Sequence, residues 1–274
     1  MGGVLVLGSL NVDLVAQVDR HPRPGETVLA EPGLTRNAGG KGANQAVAAA
    51  AAGARVAMSG AVGADGDGAA YLRRLEARGI DVSRVRTVGD QPTGQAWIAV
   101  DAEGENTIIV VPGANSVATR PDLTGWGEGD VLLAQLEVPL DVVAETARDA
   151  HRRGMRVVVN AAPYAALPHD VAALADPVVV NEHEAAQLAD GDLVPGSLLV
   201  TFGAAGCTWD GEPFPGEAVP ADQVVDTTGA GDAFCGALAA ALAGGVGRAE
   251  TIRRAATAGA QAVTRVGAQA DPAI

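Results

Sequence analysis

The protein has 274 residues, 48% of them hydrophobic, and its 33 acidic and 19 basic residues give a net charge of -14. A chain of this length and apolar content can bury roughly 70 to 75% of its unfolded surface, which excludes the disordered and fibrous classes. The negative charge predicts repulsion from phosphate backbones and anionic lipids, so neither nucleic acid nor a membrane is an expected partner. No apolar run approaches the ~18 residues of a membrane span and no secretory signal pattern is recognisable, which favours a cytoplasmic location.

Short apolar runs predict strands that are buried on both faces of a parallel sheet. These runs occupy residues 4–7, 131–134, 157–159, 178–180 and 198–201. Alanine-rich segments lie between them, and residues 230–242 repeat apolar side chains at helical spacing. The alternation of the two patterns predicts an α/β fold.

Two further segments, residues 13–34 and 94–111, alternate polar and apolar residues around turn signals such as Pro24-Gly25 and Gly104. This pattern predicts short antiparallel strands with one exposed face. Their apolar face needs cover, so we expect them to form a lid over the carboxyl edge of the sheet, completed by a second copy of the chain in a homodimer. Because no linker divides the sequence, we expect one domain over residues 1–274.

Lys41 is the only lysine in the chain, although a compositional bias toward arginine could leave one lysine by chance. It lies in the glycine-rich segment 39–44, which opens an alanine-rich stretch and lets the backbone approach a ligand closely. Asn11 and Asp13 follow the first predicted strand and add hydrogen-bond donors and acceptors that suit a polyol. Ligands of open α/β sheets bind beyond the carboxyl ends of strands, which favours a small-molecule site here.

The segment Asp226-Thr-Thr-Gly-Ala-Gly-Asp232-Ala-Phe leads directly into the predicted helix. Consecutive small residues at a helix N-terminus leave backbone N–H groups free to bind an anion. An ordinary glycine-rich helix start explains the glycines equally well, but it leaves the two flanking aspartates unexplained. A carboxylate beside an anion cradle can remove a proton from an attacking hydroxyl, so the segment predicts phosphoryl transfer.

The motifs at 8–13, 39–46 and 226–234 are similar to those of the ribokinase/PfkB family of sugar kinases, in the form that its ribokinase branch carries. Further matches follow in the same order at Gly94 with 104–106, 112–115, 135–137, 181–184, 201–203 and 264–268. The resemblance implies a three-layer α/β/α sandwich with a mostly parallel sheet and a small β-strand lid. It also implies ATP-dependent phosphorylation of D-ribose at its 5-hydroxyl, which yields D-ribose 5-phosphate and ADP.

The resemblance implies a role for each matching residue. Asp232 matches the catalytic base, and Gly229, Ala230 and Gly231 match the anion hole. The residues that match ribose-contacting positions are Asn11, Asp13, Gly39, Gly40, Lys41, Asn44, Glu137 and Asp232.

The resemblance also implies nucleotide and metal sites. The residues that match nucleotide-binding positions are Asn181, Thr201, Gly203, Gly206 and Gly231. Glu184, together with Asn181, matches the motif that organises Mg²⁺ and phosphate, in part through water. A site for an activating K⁺ is implied by Asp226, Thr228, Ala262, Arg265, Gly267 and Asp271, the last standing where ribokinases typically carry serine.

The chain departs from the family pattern after Glu184, where residues 190–196 leave room for a turn instead of an additional helix. Two alternatives to ribose phosphorylation therefore stay open. A related kinase for fructose, a deoxysugar or a nucleoside would keep the same machinery, although a nucleoside pocket favours aromatic stacking and only 3% of the residues are aromatic. A sugar- or nucleotide-binding regulator with weak catalysis would need the pocket but not the base.

Overall fold

Two β-sheets organise the protein, whose computed structural model describes residues 2–270 and 273–274. In chain order the strands are β1 (Gly3–Leu7), β2 (Asn11–Gln17), β3 (Thr35–Gly39), β4 (Arg55–Gly63), β5 (Asp81–Val88), β6 (Gly94–Val100), β7 (Asn106–Val111), β8 (Val131–Gln135), β9 (Arg156–Asn160), β10 (Val178–Asn181), β11 (Leu198–Thr201), β12 (Cys207–Trp209) and β13 (Glu212–Phe214). The large sheet has the order β13-β12-β11-β10-β9-β8-β1-β4-β5. It is parallel from β11 to β5, and β12 and β13 extend it as antiparallel strands.

The five strands predicted from apolar runs are confirmed as β1, β8, β9, β10 and β11. The sequence patterns did not identify β4, β5 or the hairpin of β12 and β13. In β4 the small residues Ser59 and Gly60 interrupt the apolar run, and in β5 four of the eight positions are exposed and polar. Strands at the margin of a sheet are covered less completely, so their sequences carry a weaker signal.

Helices cover both faces of the large sheet. They are α1 (Lys41–Ala51), α2 (Gly66–Glu76), α3 (Leu140–Arg152), α4 (His169–Leu174), α5 (Glu182–Ala189), α6 (Ala230–Ala243) and α7 (Arg248–Ala262). In β1, Val4 and Val6 enter the core that contains residues of α1, α2, α6 and α7, whereas Leu5 and Leu7 enter the core that contains residues of α3 and α4. Successive side chains of a strand point to opposite faces, so this division produces the predicted three layers.

The helices α1 and α6 approach each other closely because Gly236 lies between them. A Cβ atom at Gly236 would lie 2.4 Å from the Gln45 carbonyl oxygen and 2.6 Å from the Ala48 Cβ. Both helices begin at the carboxyl edge of the sheet, since α1 follows the strand β3 and α6 follows the segment 226–229. Their N-terminal turns are thereby held side by side.

The lid is a four-stranded sheet in the order β3-β2-β6-β7, and three residues, 8–10, separate β1 from β2. The antiparallel lid strands extend beyond the predicted segment 13–34, because β2 begins at Asn11 and its antiparallel partner β3 starts at Thr35. Inside the segment an isolated antiparallel bridge joins Val18 and Ala30. The strand β2 also pairs in parallel with β6, and only β6 and β7 form an antiparallel pair within a predicted segment. Alternation reveals that a strand has one buried face, but it specifies neither the partner nor its direction.

The region after α5 follows the sequence prediction. The helix ends at Ala189 and β11 starts at Leu198, so the short segment between them forms turns without a further helix. Among residues 2–270 and 273–274, no helix has the length and apolar character that a membrane crossing requires.

The burial of β8 predicts a large effect of Leu133→Ala. Leu133 is fully buried, so its truncation removes apolar contacts and leaves a cavity. We expect the free energy of unfolding in urea to fall by about 2 to 5 kcal/mol. Leu29→Ala is the matched control, because 90% of the Leu29 side chain is exposed and its truncation should change the unfolding free energy by less than about 0.5 kcal/mol. Equal losses in the two variants would contradict the fold.

Candidate active site

A cavity of about 120 Å³ opens at the carboxyl edge of the large sheet, beside the first turns of α1, α5 and α6. The predicted site residues that line it are Lys41, Asn181, Glu184, Thr201, Gly229, Gly231 and Asp232. The lining residues that the sequence analysis missed are Asn160, Ala162, Val179, Val180 and Cys235. The structure therefore brings together residues that lie up to 194 positions apart in the sequence, from Lys41 to Cys235.

Asp232 lies in the first turn of α6 and is 8% exposed. Two side-chain amides of α1 hold its carboxylate. The Asn44 Nδ2 donates to Oδ2 at 3.0 Å, and the Gln45 Nε2 donates to Oδ1 at 2.9 Å. Because both oxygens accept from amide donors, the orientation of the carboxylate is defined.

Glu137 joins the end of β8 to the start of α1. Its Oε2 accepts hydrogen bonds from the Ser9 hydroxyl and from the backbone N–H of Lys41, the second at 3.0 Å. The carboxylate thus receives an N–H group from the first turn of a helix, a position that favours negative charge. Ser9 was not identified in the sequence, although it stands inside the motif at 8–13.

Asn11, Asp13, Gly39 and Gly40 lie next to one another because β2 and β3 pair with Asn11 opposite Gly39. A Cβ atom at Gly39 would lie 2.1 Å from the Asp13 Oδ2, so this position accommodates only glycine beside the carboxylate. Gly40 has a φ of 86°, which favours glycine, and a Cβ atom there would lie 2.8 Å from the Asn11 backbone nitrogen. The glycines of the motif therefore allow the lid to approach α1.

Asn11 is oriented by Asn115, a buried residue that the sequence analysis assigned no role. The Asn115 Oδ1 accepts from the Leu10 N–H at 3.0 Å, and its Nδ2 donates to the Leu10 carbonyl at 3.1 Å and to the Asn11 Oδ1 at 2.8 Å. The backbone contacts define which end of the Asn115 amide faces Asn11. As a result, the Asn11 Nδ2 remains the free end of that amide for a ligand.

Lys41 lies among several carboxylates at the mouth of the cavity. Burial alone would lower the pKa of its ammonium group, but Asp232, Glu137 and Glu184 together raise it above the ordinary value. The lysine is therefore charged. Burial, reinforced by the neighbouring carboxylates of Glu137 and Asp232, raises the pKa of Asp13 to about 7.

Two glycines at the start of α6, Gly229 and Gly231, line the cavity. Gly229 caps the helix with a φ of 77°, and a Cβ atom there would lie 2.5 Å from Ala268. Gly231 is exposed and has open space where a side chain would be. The first N–H groups of an α-helix have no acceptor within the helix, so those of the first turn, which starts at Ala230, can bind an anion.

Asn181 and Glu184 form a capping box at the start of α5. The Asn181 Oδ1 accepts from the Glu184 N–H at 2.9 Å, and the Glu184 Oε2 accepts from the Asn181 N–H at 2.9 Å. One oxygen of Glu184 is left for a further ligand. Among the described residues there is no cluster of three His, Cys, Asp or Glu side chains suited to a metal ion. This donor set fits Mg²⁺, which uses few carboxylates together with water and phosphate oxygens.

Thr201, Gly203 and Gly206 follow one another at the end of β11. Thr201 lines the cavity, whereas Gly203 and Gly206 lie beyond it in the next turn. Gly206 has a φ of 102°, and a Cβ atom there would lie 2.2 Å from the Phe214 carbonyl oxygen. The turn is thus closely packed against the segment after β13.

Three of the residues predicted to bind K⁺, Asp226, Thr228 and Gly267, contact one another through hydrogen bonds to the Asp226 carboxylate. The Asp226 carboxylate accepts from the backbone N–H groups of Thr228 and Gly267, each at 2.8 Å. Burial raises the pKa of Asp226, but these hydrogen bonds outweigh it and hold the pKa below its ordinary value. Ala262 is buried at the end of α7 and Arg265 is exposed. Asp271 lies outside the described residues.

Comparison with known proteins agrees with this architecture. The family described as pfkB family carbohydrate kinase matches residues 1–274. Bacillus subtilis ribokinase is 37% identical over 287 residues, covering 98% of this chain and 95% of the relative. The crystal structure of Thermotoga maritima ribokinase superposes with a TM-score of 0.87 at 32% identity, covering 99% of this chain and 96% of the other. Arabidopsis thaliana ribokinase complexed with ribose and ATP superposes with a TM-score of 0.82 at 29% identity, covering 98% and 95%.

The fold and the comparisons define a carbohydrate kinase, and the chain belongs to the pfkB family. The ribokinase-like α/β/α fold with its lid is therefore confirmed.

The raised pKa of Asp13 predicts a pH-dependent stability. Between the ordinary value of 3.8 and the folded value of about 7, the folded protein holds a proton that the unfolded chain releases. This group therefore makes the free energy of unfolding fall as the pH rises through that window. Asp13→Asn should stabilise the ligand-free protein at pH 8 by up to about 4 kcal/mol, at ~1.4 kcal/mol per pKa unit.

Urea unfolding at pH 5 and pH 8 measures this effect, and Asp222→Asn serves as the control because Asp222 is exposed. We expect the slope of the unfolding free energy against pH to become less negative in Asp13→Asn and to stay unchanged in the control. An identical pH dependence of the wild type and Asp13→Asn would show that burial does not penalise this carboxylate.

Proposed function

We propose that the protein is a ribokinase, which transfers the γ-phosphoryl group of ATP to the 5-hydroxyl of D-ribose and releases D-ribose 5-phosphate and ADP. The observation that carries the proposal is the position of Asp232. Its carboxylate lines the cavity from the first turn of α6. It also accepts a hydrogen bond from Asn44, which belongs to the motif at 39–46. Supporting similarity comes from ribokinases over nearly the full chain, one of them bound to ribose and ATP.

Asp232 acts as the general base in this proposal. As the ribose 5-oxygen bonds to the γ-phosphorus, the hydroxyl proton passes to the Asp232 carboxylate and the bond from phosphorus to the ADP oxygen breaks. The Asn44 and Gln45 amides hold the carboxylate in a fixed orientation, as positioned proton transfer requires. A base so placed contributes about 10² to 10⁴-fold to the rate.

The backbone N–H groups of Gly229, Ala230 and Gly231 form the anion hole. Gly229 and Gly231 line the cavity at the start of α6, where the helix dipole favours negative charge. Charge shifts onto the phosphoryl oxygens and the leaving oxygen during transfer, so donors fixed in advance stabilise the transition state. Each such donor contributes about 2.7 to 4 kcal/mol in comparable oxyanion sites.

The sugar lies against the lid and the start of α1. Asn11 offers its Nδ2, and the carboxyl groups of Asp13 and Glu137 offer oxygens for vicinal hydroxyls. Gly39 and Gly40 let the lid backbone approach the sugar, because neither position has room for a side chain. Lys41 lies at the junction with the phosphates and opposes the charge of the surrounding carboxylates.

The nucleotide lies along the ends of β10 and β11, where Asn181 and Thr201 line the cavity and Gly203 and Gly206 shape the following turn. Glu184, with Asn181, would hold Mg²⁺ through its remaining carboxylate oxygen and bound water. When bound, Mg²⁺ neutralises charge on the phosphates.

A monovalent cation such as K⁺ would lie beside Asp226, with oxygens of Thr228 and of the chain near Ala262, Arg265 and Gly267 as further ligands. The Asp226 carboxylate ties this region to the loop before the anion hole through Thr228 and Gly267. A cation held there would therefore brace the same loop.

Other acceptors and a regulatory role have weaker support. Among the described residues that line the cavity none is aromatic, which disfavours a nucleoside base. A regulator that only binds sugar or nucleotide would not need Asp232 held by two amides at the anion hole.

Asp232→Ala tests the mechanism. We expect kcat for ADP release from Mg-ATP and ribose to fall by about 10² to 10⁴-fold, because the base is removed, while the ribose Kd changes little. The assay compares ribose with deoxyribose, fructose and adenosine, each with and without K⁺. Asp222→Asn is the control and should retain wild-type kcat.

The outcomes separate the alternatives. Preference for another acceptor would replace the substrate and keep the mechanism, and ribose binding without any ADP release would indicate a regulator. An unchanged kcat in Asp232→Ala would eliminate Asp232 as the base. Stimulation by K⁺ would support the cation site beside Asp226.

We propose in addition that two copies of the chain associate through the exposed face of the lid. Trp97 and Ile109, which pair with each other in β6 and β7, are each at least half exposed, and a groove of about 480 Å³ crosses this face. The groove is lined by Leu14, Ala16, His21, Pro22, Leu34, Trp97, Ile98, Ala99, Thr107 and Ile109. In β7, apolar neighbours on both faces are exposed at a sheet edge, an arrangement suited to pairing with an identical lid about a two-fold axis.

Ile109→Asp tests this association by sedimentation. The substitution places a charge in the centre of the apolar face, so we expect the wild type to sediment as a dimer and the variant as a monomer at equal concentration. Val194→Asp is the control, because Val194 is 79% exposed and lies outside the lid. A monomeric wild type, or a dimeric Ile109→Asp, would rule out the lid as the interface.

A further inference from the structure

We infer that Gln45 and Gln269 are positioning residues for the carboxylate of Asp232. Each belongs to a buried chain of hydrogen bonds that starts at a backbone carbonyl, and this carbonyl determines which group donates and which accepts at every following step. Neither residue was assigned a role by the sequence. The inference deepens the proposed function, because it rests on Asp232 as the base in ribose phosphorylation.

The first chain starts at the Val179 carbonyl, which can only accept a hydrogen bond. It therefore takes the amide nitrogen of Asn160, at 3.2 Å. This leaves the Asn160 Oδ1 to face Gln45, whose Nε2 donates to it at 3.0 Å. The same Nε2 has a second hydrogen and donates it to the Asp232 Oδ1 at 2.9 Å.

Gln135 completes the first chain from the other side. Its Nε2 donates to the Gln45 Oε1 at 2.5 Å, so the oxygen end of the Gln45 amide is occupied as well. Gln45 and Gln135 are both completely buried. A reversed Gln45 amide would place oxygen against oxygen at Asn160 and at Asp232 and nitrogen against nitrogen at Gln135. Only one orientation is compatible with these partners.

The second chain starts at the Gly39 carbonyl, which accepts from the Tyr71 hydroxyl at 2.6 Å. Because that hydroxyl has used its hydrogen, its oxygen accepts from the Gln269 Nε2 at 3.2 Å. The same nitrogen donates to the Asn44 Oδ1 at 2.9 Å. The Asn44 Nδ2 is thereby turned toward Asp232 and donates to its Oδ2 at 3.0 Å.

The two chains thus end on different oxygens of one carboxylate. Tyr71 and Gln269 are at most 1% exposed, so water does not compete for these contacts. Buried amides without partners are costly, so the hydrogen bonds that Gln45 and Gln269 make hold these two amides in one orientation. The chains also come from separate parts of the fold, since Asn160 ends β9 and Gln269 follows α7. The carboxylate is therefore held by two independent supports.

Gln45→Met and Gln269→Met test the inference, since methionine matches glutamine in length and lacks the amide. We expect each to lower kcat for ribose phosphorylation by about 10 to 100-fold, because a carboxylate held on one side is displaced from the productive geometry. The KM for ribose and the ribose Kd from calorimetry should stay within about threefold of the wild type for Gln45→Met, which removes no predicted sugar contact. Gln223→Met, at an exposed glutamine, is the matched control and should retain wild-type kcat.

The inference would be overturned if Gln45→Met folds and keeps the wild-type kcat, or if its loss of kcat/KM comes entirely from a higher KM. If both methionine variants fail to fold, Tyr71→Phe is the deciding variant. It removes one oxygen atom outside the cavity, and with it the hydrogen bond that fixes the orientation of the Gln269 amide. A loss of kcat of about threefold or more then supports the inference, and an unchanged kcat contradicts it. A wild type that phosphorylates another sugar but not ribose refutes the proposed substrate alone, and the same variants are then compared with that sugar.

Discussion

The close packing of α1 against α6 is the constraint on which the site depends. Gly236 allows the two helices to meet at a distance where a Cβ atom would lie 2.4 Å from the Gln45 carbonyl. Only at that distance can short amide side chains on α1 reach the Asp232 carboxylate on α6. The helix packing that completes one core layer therefore also sets the geometry of the proposed base. A larger residue at position 236 would disturb both at once.

Electrostatics explains why the site is costly to maintain without ligands. One buried ammonium group, that of Lys41, faces the carboxylates of Asp232, Glu137 and Glu184. Burial raises the pKa of Asp13 to about 7, and the negative charges of Glu137 and Asp232 add to this effect. Such a cluster lowers stability in exchange for function.

Sequence motifs identified the residues that are expected to touch ligands, but not those that hold them in place. Asp232, Asn44 and Lys41 stood in glycine-rich segments whose composition is typical of anion and polyol sites. Gln45 stood in the same motif, yet its role became visible only through its contacts with Asn160 and Asp232. A buried glutamine has no characteristic spacing in the sequence, because its function depends on partners from distant segments. The role of Gln45 depends on which helix it faces, and the local sequence does not contain that information.

The sequence by itself determined the α/β class, the five central strands and the residues at the carboxyl edge of the sheet, since apolar runs and glycine-rich helix starts are local patterns. Only the tertiary structure decided the partners of the lid strands, including the parallel pairing of β2 with β6. It alone joined Asn160 and Gln269 to Asp232, the proposed base, through the side-chain amides of Gln45 and Asn44. The physical reason is the same in both cases. Hydrogen-bond partners are chosen by proximity in space, and a period of two or of 3.6 residues describes which face is buried but not what lies against it.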